Sequence, residues 1–243
     1  MSLPKIAIAK HELNLPSSGD KLTYRPFLVK EEKILMMALQ SGDPKDMLRG
    51  LKEIIISCVD QDIKVDDLPP FDLEYIFLQL RARSVGDIIP ISYTLPEEKC
   101  ENTGKDCLYE TEVNIDDVKI VKSKDHKNLI DITDTIKLKM NYPDMEASGM
   151  MAGLEGTEMV DKTFDMIGNC IEYIMDGEEI HKLSDYTKKE RDDFLNSLST
   201  QHFKEIQTFF DTMPKLKHEI TAVCKSCKKE NKKVLEGMGD FFA

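Results

Sequence analysis

The chain has 243 residues, 41% of them apolar and 32% charged, which is enough apolar content to bury a core and too much for wholesale disorder. Its 33 Lys and Arg face 45 Asp and Glu, a net charge of −12 that argues against a general nucleic-acid coat, because phosphate binding needs a basic surface. No apolar run approaches the roughly 18 residues of a membrane span. Met1-Ser2-Leu3-Pro4-Lys5 lacks the apolar stretch of a secretion signal, and six cysteines are too few for a disulfide scaffold. The cysteines therefore read as reduced thiols or metal ligands of an acidic, soluble, intracellular protein.

Residues 5–28 predict a β-hairpin: Ile6, Ile8 and Leu13 precede the turn-rich Pro16-Ser17-Ser18-Gly19-Asp20, and Leu22, Tyr24 and Phe27 follow it. From Val29 to about Gln40 the residues favour a helix, closed by Gly42. Asp43 caps a second helix over residues 44–58, with Pro44 at its first position and Met47, Leu48, Leu51, Ile54, Ile55 and Cys58 at helical spacing. After the break at Asp66-Asp67-Leu68-Pro69-Pro70, residues 71–84 are the most apolar stretch of the chain. With acids in the first turn and Arg81 and Arg83 in the last, they predict a helix central to its domain.

Residues 87–140 read as β-rich, with strands around Ile88–Tyr93 and Tyr109–Ile115 and two more between Leu129 and Met140 that turn near Thr133-Asp134. Residues 143–185 carry eleven acids against two lysines, and Met159 to Met175 within them predicts a helix; Glu178-Glu179 reads as a solvated helix face. Helices follow at 187–198 and 200–213, the latter with a Ser199-Thr200 cap. Residues 214–233 reverse the charge, with seven lysines against two glutamates. The expected class is α+β: a hairpin-plus-helices body at 1–87, a β-rich region at 88–142, an acidic helical insertion at 143–214 and a closing segment at 215–243.

The clearest chemical signal is Cys224-Lys225-Ser226-Cys227, whose two-residue spacing suits a zinc knuckle. Zinc needs four ligands, and the best second pair is Cys100 and Cys107, although six intervening residues exceed a knuckle's usual two to four. Two hairpin tips, Leu95–Tyr109 and Ile220–Leu235, would then clasp one Zn²⁺ in a ribbon. The four thiolates would leave no open position, so the ion would support folding and not hydrolysis. The alternatives are metal-free surface thiols, His218 in place of a missing ligand, and a redox pair at Cys224 and Cys227, which would need a helix start. Cys58 and Cys170, set among isoleucines, read as small buried hydrophobes.

Phosphate loops, dinucleotide fingerprints, nucleophile elbows and metalloprotease motifs are absent from the sequence, so an enzyme is not expected. The Met-rich acidic segment (Met140, Met145, Met150, Met151, Met159, Met166, with Gly149, Gly153 and Gly156) suggests a mobile, adaptable partner surface, and core filling is the other reading.

Four stretches resemble the T4-type bacteriophage baseplate protein family, which contains a hub subunit and a related hub-assembly catalyst. They are Lys21-Leu22-Thr23-Tyr24-Arg25-Pro26-Phe27-Leu28-Val29-Lys30-Glu31-Glu32-Lys33-Ile34-Leu35, Leu68–Leu78 with Arg81–Gly86, the two cysteine pairs, and Leu235–Phe242. The resemblance is strong over 20–107 and 216–243 and weak over about 110–215. It implies a non-enzymatic protein that builds or completes the hub of a contractile tail, in the virion baseplate or in the host cytoplasm during assembly. Its partners would be other hub proteins, with neither membrane nor small-molecule substrate. Arg25, Arg81, Arg83, Phe241 and Phe242 are the expected partner contacts, terminal aromatics being good anchors; the other reading folds the phenylalanines onto the chain's own core. A zinc-ribbon nucleic-acid regulator, resting on the lysines around Cys224, is the alternative function.

Overall fold

In the computed structural model, which describes residues 7–145, 147 and 156–242, the turn at Pro16–Asp20 closes a hairpin of β1 (His11–Asn14) and β2 (Lys21–Tyr24), with His11 opposite Tyr24. Ile6, placed in this hairpin by the sequence, lies outside the described residues. The hairpin continues into α1 (Val29–Ser41) and α2 (Pro44–Cys58). Asp43 caps α2 as expected, its side chain accepting from the Lys45 N–H at 2.8 Å. A Cβ at Gly50 would stand 3.0 Å from Ala38 Cβ, so glycine is what lets α1 and α2 approach this closely. The hairpin is tied to the end of α2 by Arg25 N–H to Cys58 O at 3.0 Å and Asp60 N–H to Thr23 O at 2.9 Å.

Helix α3 (Pro70–Ser84) is apolar on most sides and is central: Phe71, Leu73, Ile76, Phe77, Leu78, Leu80 and Ala82 are all buried. Its buried Asp72 accepts from the Ser17 N–H at 3.0 Å and from the Ser17 hydroxyl, which pins the hairpin turn to the helix start.

The sheet beside α3 joins distant parts of the chain. Strands β3 (Ile88–Lys99) and β4 (Asp106–Asn114) form one antiparallel hairpin, and β10 (Lys215–Cys224) and β11 (Glu230–Glu236) another. The order is β11-β10-β4-β3, and β5 (Lys119–Val121) also pairs with β10, so that Val121 stands directly opposite Lys215. Leu78 and Ala82 pack on Ile89, Ile91, Val113, Leu216, Ile220 and Leu235 to form the core here. The short α7 (Gly237–Phe242) adds Phe241 to that core.

These elements belong to one compact unit, built from residues 1–65, 71–121 and 215–243. The second unit is essentially 122–214. Its sheet is the antiparallel meander β6 (Leu129–Asp131), β7 (Ile136–Met140), β8 (Ile171–Asp176) and β9 (Glu179–Lys182). Helices α4 (Gly156–Cys170), α5 (Lys188–Ser197) and α6 (Thr200–Asp211) complete it, around Leu138, Met140, Ile167, Leu195, Ile206 and Phe209. The fold is α+β, as the sequence predicts.

Two expectations are corrected here. The helix expected to run to Met175 stops at Cys170, because Ile171, Tyr173 and Ile174 pair with β7 and alternation wins over helical spacing. Glu178-Glu179 is not on a helix: Gly177 (φ 60°) and Glu178 turn β8 into β9. Of the methionines, Met140 is buried and Met166 packs against the same core, while Met159 is exposed; Gly149, Met150, Met151 and Gly153 lie outside the described residues.

Candidate metal centre

The two hairpins of the larger unit end in matching turns. At the tip of β3–β4, the Cys100 N–H donates to Lys105 O at 2.7 Å, the Gly104 N–H returns to Cys100 O at 2.8 Å, and Gly104 has φ +67°. At the tip of β10–β11, the Cys224 N–H donates to Lys229 O at 2.8 Å, the Lys228 N–H returns to Cys224 O at 2.9 Å, and Lys228 has φ 63°. Gly104 meets this left-handed requirement without strain; Lys228 is the one non-glycine with positive φ among the described residues.

Aligned on these hydrogen bonds, Cys100 corresponds to Cys224, and Thr103 stands where Cys227 stands. The Thr103 hydroxyl hydrogen-bonds the Cys100 thiol, in the position a knuckle's second cysteine would occupy. Cys107 supplies the fourth sulfur instead, from the second residue of β4. It reaches the site because the β3–β4 register breaks there: Leu95 faces Cys107 and Lys99 faces Asp106, leaving residues 96–98 as extra length in β3. The six-residue spacing is thus a turn of the knuckle shape with threonine where the second cysteine would stand and a cysteine further on at Cys107.

The Sγ atoms of Cys100, Cys107, Cys224 and Cys227 all lie within 4.8 Å of one another, with Cys107 and Cys227 3.8 Å apart. A tetrahedron with metal–sulfur bonds near 2.3 Å requires about 3.8 Å between sulfurs, so the donor set and its size fit one thiophilic ion. All four thiols are free, and three are buried with Tyr109 and Ala222 beneath them. Tyr93 stacks on Tyr109 at 5.4 Å and donates to Asn231 Oδ1 at 2.7 Å, while Asn102 Nδ2 reaches across to Ser226 O at 2.6 Å and ties tip to tip.

The electrostatics suit thiolate binding. Backbone N–H groups of Cys227 and Ser226, with the thiols beside it, hold Cys224 down at about 6 against the effect of burial. Burial, reinforced by the adjacent Cys227 and Cys224, pushes Cys107 up to about 12. The pair at 224 and 227 sits between two strands and not at a helix start, so it lacks the setting of a redox pair. His218 faces Leu235 within β10 and is not in the cluster. Burial raises Cys58 to about 11 and Cys170 to about 12, which fits inert core thiols.

The residues expected to meet a partner have varied placements. Arg25 is engaged internally, donating to Glu31 Oε1 and to Ser57 O, each at 2.8 Å. Arg81 is half-buried and donates to Gly86 O at 3.3 Å, whereas Arg83 is exposed and hydrogen-bonds Tyr24. Phe241 is 1% exposed and packs in the sheet core, where the fold-back reading puts it; Phe242 ends α7. The sequence reading missed Thr103, although Cys-Glu-Asn-Thr-Gly has the outline of a knuckle, and it missed Glu31, whose importance depends on a tertiary partner.

Four lysines of the basic closing segment are paired with carboxylates: Lys215 and Lys217 with Glu236, Lys225 with Glu110, and Lys233 with Asp240. No helix among the described residues is long and apolar enough to cross a membrane.

The family model described as T4 bacteriophage base plate protein matches residues 8–243. No curated protein matches significantly, and no solved structure does.

Proposed function

The chain belongs to the T4 bacteriophage base plate protein family, and from that premise we propose that it is a non-enzymatic component or assembly factor of the baseplate hub, acting through contacts with other tail proteins. The observation that carries this reading is the family match across residues 8–243, which spans both units. The protein would act in the virion tail, or in the host cytoplasm while tails assemble. Arg83, Arg81 and the α7 terminus at Phe242 are the proposed contacts; Arg25 and Phe241 serve inside the fold.

We further propose that the four-cysteine cluster holds a structural Zn²⁺. Cys100, Cys107, Cys224 and Cys227 would be the ligands, and a tetrathiolate ion supplies cross-linking, with no open position for water. What this chain's residues do is bring two hairpin tips together, one from each end of the sheet, and bury the sulfurs against Tyr109. Elemental analysis of the purified protein should give about one zinc per chain; protein free of zinc and of any other thiophilic metal would refute the ion.

The role itself is tested by quantitative mass spectrometry of mature particles beside tail-assembly intermediates. A fixed copy number in mature particles identifies a hub subunit, and presence only in intermediates identifies an assembly factor. Absence from both would overturn the baseplate reading and return attention to the nucleic-acid alternative. That alternative is disfavoured by the paired lysines, which have carboxylates where phosphates would have to bind.

A further inference from the structure

Helix α1 presents an apolar face to solvent. Its apolar residues are not confined to one side, and Ile34-Leu35-Met36-Met37-Ala38-Leu39 is an unbroken apolar run. Ala38 is buried and Ile34 half-buried where α1 meets Gly50 of α2. Away from α2, Val29 is 80% exposed, Met37 62%, Met36 56% and Leu39 49%. A helix that is apolar all round is ordinarily covered all round, and grouped exposed apolar side chains mark a surface that meets something.

Two charges stand within this patch. Glu32 and Lys33 are exposed, adjacent and of opposite sign, and neither is paired with another charge among the described residues. Val29, then Glu32 and Lys33, then Met36, then Leu39 follow one another at three- and four-residue steps, so they share one seam of a helix about 20 Å long. That seam complements itself. Turned about a two-fold axis midway between residues 32 and 33, two antiparallel copies put Glu32 of each beside Lys33 of the other, and Val29 of each beside Met36 of the other. The exposed charges of α1 are Lys30, Glu32 and Lys33, so this face lacks the acidic surplus of a chain with net charge −12. Two copies can therefore approach here with little of the repulsion that the rest of the surface imposes.

We propose that α1 is the contact surface for a second copy of this chain, the two helices packing antiparallel. The apolar residues supply the affinity, and the reciprocal Glu32–Lys33 pairs set the direction. One helix face on each copy is well short of the roughly 800 Å² per partner of a standard interface, so the dimer is weak and concentration-dependent. This contact is independent of the baseplate reading, since it concerns the purified chain alone.

Sedimentation of the full-length protein from about 1 µM to about 1 mM tests it, a range that covers weak dimers. Wild type should pass from monomer to dimer across that range. Glu32→Lys and Lys33→Glu should each weaken association about tenfold, because each turns two opposite-charge pairs into two like-charge ones. Mixed in equal amounts, the two variants should associate at least as tightly as wild type, since one brings two lysines and the other two glutamates to the same place. Met36→Lys should abolish the dimer. All of these side chains are exposed, and recovery in the mixture excludes misfolding as the cause of the losses. Monomer throughout, a dimer indifferent to Met36→Lys, or a mixture no tighter than either charge variant alone would each overturn the proposal. None of these outcomes bears on the baseplate reading, which stands or falls on the particle counts.

Discussion

Replacing Glu31 by Gln removes a single negative charge from a carboxylate with no exposed surface. That carboxylate accepts from Arg25 Nη2 at 2.8 Å, Ser57 Oγ at 2.6 Å, the Leu28 N–H at 2.9 Å and Lys30 Nζ at 3.0 Å. Burial alone would raise its pKa, but these donors outweigh burial and hold it down from 4.5 to about 2. Such a depression is worth about 3 kcal/mol of stability at neutral pH. Lys30 is mostly exposed and Arg25 partly so, and solvent screening reduces the expected contribution to about 2 kcal/mol. A carboxyl with a lowered folded pKa stabilises fully above its unfolded value and loses that contribution as pH falls towards 2. Urea unfolding of wild type and Glu31→Gln, followed by near-ultraviolet circular dichroism, should therefore differ by about 2 kcal/mol at pH 7. The two curves should converge between pH 4 and pH 2.5. A difference that is the same at pH 7 and pH 3, or absent at pH 7, would refute the reasoning.

The other predictions concern the metal site, the buried histidine and the terminal phenylalanine. Cys107→Ser should lose bound zinc, and adding Thr103→Cys should restore it, because Thr103 occupies the second ligand place of the turn; cobalt substitution and its thiolate absorption would report both, and failure of the double variant would contradict the turn correspondence. His126, 8% exposed, bonds Thr212 Oγ1 at 3.0 Å and Tyr142 OH at 2.9 Å. Burial lowers its pKa, so its stabilisation is complete above about 6.5 and is lost as pH falls. Calorimetry between pH 7.5 and 5 should show the smaller unit melting earlier in acid, with the trend blunted in His126→Gln. Phe241→Ala opens a cavity beside Leu78 and Leu235 and should cost about 3 kcal/mol in chemical unfolding; a cost below about 1 kcal/mol would show that the ring is not held by the core.

Much of the fold was legible because it is written locally. The Asp43-Pro44 start of α2, the all-round apolar α3 and the Ser199 cap of α6 are local signals, and each forms its element. The four cysteines could be grouped because thiol spacing survives an imperfect first arm. What failed was non-local or overlooked. Strand β8 takes its identity from β7 across a gap of 30 residues, and nothing between Gly168 and Tyr173 breaks a helix strongly. Its hairpin could have been found, since Asp176-Gly177 is a hairpin turn signal. Arg25 reads as a surface cation until Glu31 and Ser57 are brought beneath it by the packing of α1 on α2, and Phe241 reads as a free end until α7 folds back on β10 and β11.

The pairing of Val121 with Lys215 fixes the order in which this protein can be finished. Strands β3 and β4 leave the ribosome with an unsatisfied edge and two bare thiols, and the 100 residues from 115 to 214 must be made before β10 arrives to cover them. At about 5–20 residues per second that delay is roughly 5–20 s, by the end of which every residue of the smaller unit has been made while the sheet of the larger still lacks β10 and β11. A chain that stops short of Cys227 never closes the thiol cluster. Closure of the cluster therefore reports that synthesis has passed Cys227, and a chain that stops earlier keeps both the β4 edge and the first two thiols uncovered.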